Sequence, residues 1–326
     1  MPLPDLFVVG APKAGTTALH AALAGHPALH MSPVKEPKFY LCDERPPPKQ
    51  GGPGDNHSLR EWVWHRDRYE ALFEYAPPGA LKGESTPFYL WSRSAQRRIA
   101  REIPGARFVA VVRDPVDRAY SNWTHLWSDG LEPVGDFLEA CDLEPERAAA
   151  GWAPFWRYRG LGRYGQQIEH LLTLFPSDQV HVLRYRDLVD DPADTLTRIA
   201  KFLEIDPEGF AARQVPWENV STWVEPTPVN QVLRRGVRTG AWIGQFAPPI
   251  AWRTASRPIL RALRGRHSCR PDLTADQRAA VLAPLVDDIT LLHRLTGIDV
   301  DDWLDQTDAG AYSVRRSWAP STRVAS

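Results

Sequence analysis

Near the N-terminus an apolar run, Phe7-Val8-Val9, leads into Gly10-Ala11-Pro12-Lys13-Ala14-Gly15-Thr16-Thr17. A strand that ends in a glycine-bounded loop and continues into a helix gathers backbone N–H groups around an anion, with the positive helix end behind them. The layout is close to the ATP-binding loop G-x-x-x-x-G-K-[ST], but Thr16 follows Gly15 and the lysine lies inside the loop, at Lys13. The lysine that would reach the β- and γ-phosphates of ATP is therefore displaced. Such a loop reads as a phosphate cradle with a cation directed at a neighbouring, transferring group.

Three further segments carry residues capable of chemistry. Arg113-Asp114-Pro115 follows an apolar run, with Ser121 eight residues after the arginine. Arginine offers a planar fork that donates two parallel hydrogen bonds to a phosphate, although Arg-Asp-Pro at a strand end also serves as a helix cap with an ion pair. In Lys35-Glu36-Pro37-Lys38 a carboxylate stands among lysines. Such a carboxylate stays ionised, which suits a general base better than an acid, while the plain alternative is a solvated turn. The third segment is Gly83-Glu84-Ser85-Thr86-Pro87. His20, His26, His30 and His125 read as helix-surface or internally satisfied polar residues. Cys42, Cys141 and Cys269 are far apart and odd in number, with no metal-ligand spacing and no disulfide framework, which points to a reducing cytoplasm.

The elements that must position these residues follow from hydrophobic patterning. Short apolar runs at Leu6–Val9, Ala80–Lys82, Phe108–Val112 and Val180–Leu183 read as buried parallel strands. Helical patterns lie between and after them at Thr16–Ala24, Ser94–Glu102, Pro115–Ser128, Gly165–Phe175 and Pro192–Leu203. Asp114-Pro115 and Asp191-Pro192 each place an N-cap before a proline at the first helical position. Strands alternating with helices predict an α/β, P-loop-type three-layer fold with a central parallel β-sheet flanked by helices. Its ligands bind beyond the carboxyl ends of the strands.

Residues 1–305 read as one domain. Within it, 44–56 form a flexible Pro/Gly-rich insertion, either a tolerated surface loop or a lid, and 217–271 are irregular and rich in Arg, Trp and Pro. An amphipathic helix over 274–295, interrupted at Pro284, closes the domain, and 306–326 read as a disordered tail. The thirteen tryptophans are expected mainly in the core. A net charge of −1 gives no global attraction to nucleic acid or anionic membranes, so an anion site must be a local cluster of basic residues. No run approaches a membrane span, and the first strand begins too close to Met1 for a signal peptide.

Together these motifs resemble the sulfotransferases that use 3′-phosphoadenosine 5′-phosphosulfate (PAPS), in their heparan-sulfate-type and bacterial carbohydrate-type branch. The resemblance spans roughly residues 5–205 and continues more weakly to Trp303. It implies that Pro12, Lys13, Ala14, Gly15, Thr16 and Thr17 hold the 5′-phosphosulfate, with Lys13 on the bridging oxygen. Arg113 and Ser121 would grip the 3′-phosphate. Tyr164, in Gly162-Arg163-Tyr164, would border the adenine, and Arg234 and Arg235 would belong to a second basic loop over the 3′-phosphate. Lys35-Glu36-Pro37-Lys38-Phe39-Tyr40 is similar to the family's Lys-Glu-x-His-Phe-Phe segment, in which the glutamate is the general base. Glu84, Ser85 and Thr86 would line the acceptor cleft with Lys38.

Two departures concern the acceptor. Lys38 stands where the family often has histidine, and Ser85 where heparan-sulfate enzymes carry lysine. The lost cation favours a less anionic acceptor than a highly sulfated glycosaminoglycan. The implied activity is sulfuryl transfer from PAPS to a hydroxyl of a carbohydrate, glycolipid or small natural product, releasing PAP without a metal. A P-loop kinase with Asp114 linked to Mg²⁺, and a non-catalytic nucleotide-binding module, are the alternatives.

Overall fold

The computed structural model describes residues 3–53, 59–210 and 271–304, together with Thr227, Asn230, Val232, Leu233 and Gly236. Five strands form one all-parallel sheet: β1 (Leu6–Gly10), β2 (Leu29–Met31), β3 (Leu81–Ser85), β4 (Arg107–Val112) and β5 (Val180–Arg184), in the order β2-β3-β1-β4-β5. Helices flank the sheet, so its central strands are covered on both faces and are apolar without alternation. Every residue of β1 is buried, as is Phe108–Val112 of β4. Phe7 and Phe108, paired in register, stack at 5.5 Å, and Tyr40 and Tyr89 meet Phe7 edge-on.

Three of the four expected strands lie where the patterning puts them. The fourth, expected at Ala80–Lys82, instead runs from Leu81 to Ser85, so Gly83, Glu84 and Ser85 belong to an interior strand between β2 and β1. The three-residue edge strand β2 was not expected. Leu29-His30-Met31 has too little apolar length to stand out, and only its pairing with β3 makes it a strand.

The helices Thr16–Leu23, Arg93–Glu102, Pro115–Ser128, Tyr164–Leu172 and Pro192–Leu203 match the expected ones to within a few residues. The Asp114 side chain accepts from Val116 N and Asp117 N at 2.8 and 2.9 Å, and Asp191 accepts from Asp194 N at 3.0 Å, so both Asp-Pro caps form. The closing helix is split as Pro284 requires. A capping box at Thr274 and Gln277 starts Ala275–Leu282, a 3₁₀ turn spans Ala283–Leu285, and Val286–Thr296 follows. Two short helices, Phe137–Asp142 and Glu144–Ala149, were not expected. Trp123, Trp127, Trp156 and Trp303 are buried, in keeping with tryptophans that serve the core. In the 44–56 segment, Gly51 N donates to Gly151 O at 2.8 Å, which ties its described part to the body of the fold.

The sheet places the loops after β1 and β4 side by side. Gly10 pairs with Val111, and Ala11 N donates to Val111 O at 3.0 Å. Gly10 has φ +143°, and a Cβ there would lie 2.4 Å from Val111 O and 2.5 Å from Val111 N. Backbone is a rigid obstacle, so Gly10→Ala is expected to destabilise the fold by about 1–3 kcal/mol, read as a lower urea midpoint at unchanged slope. Gly105→Ala, where a Cβ meets nothing within 4 Å, is the control and should stay within about 0.5 kcal/mol of the parent.

Candidate active site

The loop after β1 is held open by backbone geometry. Lys13 adopts a left-handed conformation with φ 71°, and Gly15, with φ 86°, begins the Thr16–Leu23 helix with no side chain capping it. The ring of Tyr185 fills the space a Cβ on Gly15 would need, 2.5 Å from its Cδ2 atom. Glycine is thus required twice over, by φ and by the ring. Pro12, Ala14 and Thr16 are buried, whereas Thr17 is exposed. The first-turn N–H groups of the helix are free of side-chain caps, as an anion cradle requires.

Burial pushes the Lys13 ammonium down to about 8; the Asp129 carboxylate opposes this and the Arg113 guanidinium adds to it. Arg113 leaves the end of β4, and its Nη1 donates to Lys13 O at 3.3 Å. Its guanidinium lies over the Tyr185 ring, 5.0 Å from the centroid. The structure therefore brings Lys13, Gly15 and Arg113 together around one tyrosine. Ser121 lies about two turns along the helix that Asp114 caps, and is nearly buried.

The Lys35–Lys38 segment follows β2 at the same edge of the sheet. Glu36 and Lys38 both have left-handed backbones, with φ 60° and 62°. Glu36 N donates to Ser85 O at 2.9 Å and Lys38 N to Thr86 Oγ1 at 3.4 Å, so the end of β3 fixes the turn. The Glu36 carboxylate meets Lys35 Nζ at 2.7 Å and Lys38 Nζ at 3.6 Å, and its side chain is 29% exposed. Burial raises its pKa, but the two ammonium groups outweigh this and hold it below the ordinary carboxylate range. Lys38 Nζ also lies over the Trp62 ring, 5.3 Å from its centroid.

The residues expected to line the acceptor cleft need correction. Glu84, Ser85 and Thr86 are fully buried, because β3 continues through Ser85. Glu84 accepts from the hydroxyls of Tyr69, Thr86 and Tyr89 at 2.6, 2.7 and 3.0 Å. Burial pushes its carboxyl up to about 7 against those three donors. Ser85 Oγ lies 2.8 Å from His20 Nδ1, and burial with the nearby Lys35 charge pushes His20 down to about 4, so its ring is neutral. These three residues support the Glu36 turn from behind and present nothing to an acceptor. Lys38 is the one of the four that reaches the Glu36 carboxylate.

Tyr164 also departs from expectation. Its ring is wholly enclosed and packs edge-on against Trp303 at 6.2 Å, so it offers no face to a base. Arg234 and Arg235 lie outside the described residues. Asp114, which an ATP-dependent reading would link to Mg²⁺, is buried, caps two backbone N–H groups and pairs with Arg278. Sequence reasoning missed Tyr185. Its one signal was position, since it follows β5 at the edge where the loops after β1 and β4 emerge. Among the described residues, no group of three or more His, Cys, Asp or Glu side chains could hold a metal ion, and no helix is long and apolar enough to cross a membrane.

This geometry sets a basic loop and an ionised carboxylate at the same edge of the sheet. Comparison with known proteins agrees with it. The sequence pattern described as "Sulfotransferase family" matches residues 4–208. Heparan sulfate glucosamine 3-O-sulfotransferase 3B1 of Homo sapiens is 30% identical over 201 residues, covering 62% of this chain and 46% of that protein. The bifunctional heparan sulfate N-deacetylase/N-sulfotransferase 3 of Homo sapiens is 29% identical over 212 residues, covering 63% of this chain and 23% of that protein. The chain thus spans less than half the length of either relative. A crystal structure of a sulfotransferase from Alicyclobacillus acidocaldarius superposes with a TM-score of 0.69 at 25% identity, over 94% of this chain and 100% of that one. With the family's pattern matched across both the β1 loop and the Arg113 motif, this chain belongs to the sulfotransferase family.

Proposed function

We propose that this chain transfers a sulfuryl group from PAPS to a hydroxyl of a carbohydrate, glycolipid or small natural product, releasing PAP. The observation that carries the reading is the contact of Arg113 with the Lys13 loop at the β1/β4 crevice, with Glu36 ionised at the same sheet edge. The acceptor oxygen attacks sulfur in line as the bond from sulfur to the 5′-phosphate oxygen breaks, and Glu36 accepts the hydroxyl proton. Negative charge grows on the departing phosphate. Lys13, the first-turn N–H groups and the hydroxyls of Thr16 and Thr17 stand where that charge develops. Arg113 and Ser121 hold the 3′-phosphate.

Lys35 and Lys38 keep Glu36 deprotonated and ready to take a proton. Lys38, held against Trp62, contributes the acceptor side. Ser85, where heparan-sulfate enzymes carry a lysine, is buried against a neutral His20, so the acceptor side takes no cation from this position, which favours a less anionic acceptor than a highly sulfated glycosaminoglycan. The described thiols, Cys42 and Cys141, are free and buried, in keeping with a cytoplasmic compartment.

PAP should bind in calorimetry without Mg²⁺ and far more tightly than ATP; Mg²⁺-dependent ATP binding with no affinity for PAP would overturn the reading. Glu36→Gln should keep PAP affinity while kcat falls by about 10²-fold or more, the usual scale for removing a general base. Near-normal turnover in that variant would remove Glu36 from the role.

The Lys13 cation sets the alkaline limit. Its ammonium is pushed down to about 8, so the charged form disappears as pH rises through that value. The kcat/KM for the donor, which reports the free enzyme, should therefore decline above about pH 8. Lys13→Arg, always charged, should lower the rate and abolish this limb, whereas an unchanged limb would assign it to another group.

A further inference from the structure

The family match ends at residue 208, yet the segment 271–304 touches the nucleotide motifs at several places. Arg278, buried on the Ala275–Leu282 helix, pairs through Nη2 with Asp114 Oδ2 and through Nη1 with Asp117 Oδ1 at 3.5 Å, and it also donates to Trp303 O at 3.3 Å. Asp288 accepts from Gly165 N and Gln166 N at 2.8 and 3.0 Å, holding the start of the Tyr164–Leu172 helix. Arg184, at the end of β5, donates to Asp299 O at 2.7 Å and pairs with Asp302 at 3.0 Å. The next residue after Arg184 is Tyr185, whose ring packs on Gly15 and beneath Arg113.

Asp114 is the pivot among these contacts. One carboxylate oxygen caps the Pro115–Ser128 helix, and the other faces Arg278. Arg113 precedes it directly, and Ser121 lies on the helix it caps. Burial and the like charge of Asp117 both disfavour the Asp114 carboxylate, and Arg278 is the cation that compensates. A buried charge deprived of its partner is strongly unfavourable, so without Arg278 the cap and its neighbours must rearrange.

We propose that Arg278 is a positioning residue for the 3′-phosphate grip: by fixing Asp114 it sets how Arg113 leaves β4 and where Ser121 is presented. The C-terminal helices then form part of the donor site without touching the nucleotide. The proposal rests on the reading that the donor is PAPS.

The test compares PAP with AMP, which lacks the 3′-phosphate, by calorimetry on the full-length protein. The parent should prefer PAP strongly; no preference would overturn the nucleotide reading itself, and this is read in the parent alone. In Arg278→Gln, with folding checked by near-ultraviolet circular dichroism, the PAP-to-AMP preference should fall about tenfold, with Arg278→Lys intermediate. An unchanged ratio, including one in which both affinities fall together, would overturn the role of Arg278 and leave a merely structural contact. Should Arg278→Gln fail to fold, Asp114→Asn keeps a capping oxygen, removes the charge opposite Arg278 and should lose the same preference. A ratio equal to the parent's in Asp114→Asn would equally overturn the proposal.

Discussion

The close approach of β1 to β4 is the constraint on which the site depends. Gly10 lies so near the Val111 backbone that no side chain fits, and Ala11 N completes the ladder by donating to Val111 O. This single backbone contact decides that the loops after the two strands emerge as neighbours. Lys13 and Arg113, a hundred residues apart, consequently share a hydrogen bond and a field. Tyr185, from the end of the adjacent β5, is the third party. Its ring occupies the side-chain space of Gly15 and lies under the Arg113 guanidinium. A parallel sheet delivers such convergence because every strand points its carboxyl end to one edge.

Charge is arranged by depth. The protein is almost neutral overall, but the loop edge concentrates Lys13, Lys35, Lys38 and Arg113, with Glu36 held ionised among them. Behind that edge the buried carboxylates are treated differently. Glu84 has hydroxyl donors and, among the described residues, no paired cation, and burial pushes its carboxyl up to about 7, whereas Asp114, raised by burial and by Asp117, is opposed by the Arg278 guanidinium. The first stiffens the turn that carries Glu36, and the second anchors the motif that carries Arg113.

Much of this was legible in the sequence where local and global preferences agree. β1, β4 and the Asp114-Pro115 cap follow from apolar runs and capping chemistry, and Pro284 marks the break in the closing helix. The errors arose where tertiary pairing overrode local polarity. Gly83-Glu84-Ser85 falls outside the strand expected at Ala80–Lys82, yet pairing with β1 makes it interior, and the Tyr69 hydroxyl that helps satisfy Glu84 comes from outside the strand. The resemblance implies that Tyr164 borders the adenine, but Trp303, distant in sequence, packs against its enclosed ring. Tyr185 and Arg278 carry no motif, and only the topology brings them to the site.

The brevity of β2 has a consequence beyond the sheet. The Lys13 loop and Arg113 hang from β1 and β4, interior strands with neighbours on both sides. The Glu36–Lys38 turn hangs instead from a three-residue strand at the margin, braced by a few hydrogen bonds from the end of β3. Substitutions that redirect Lys38 or Trp62 can therefore accumulate without unsettling the Lys13–Arg113 cluster. On the proposed sulfotransferase reading, this separates donor recognition from acceptor recognition, so a new acceptor can be acquired while the donor stays the same.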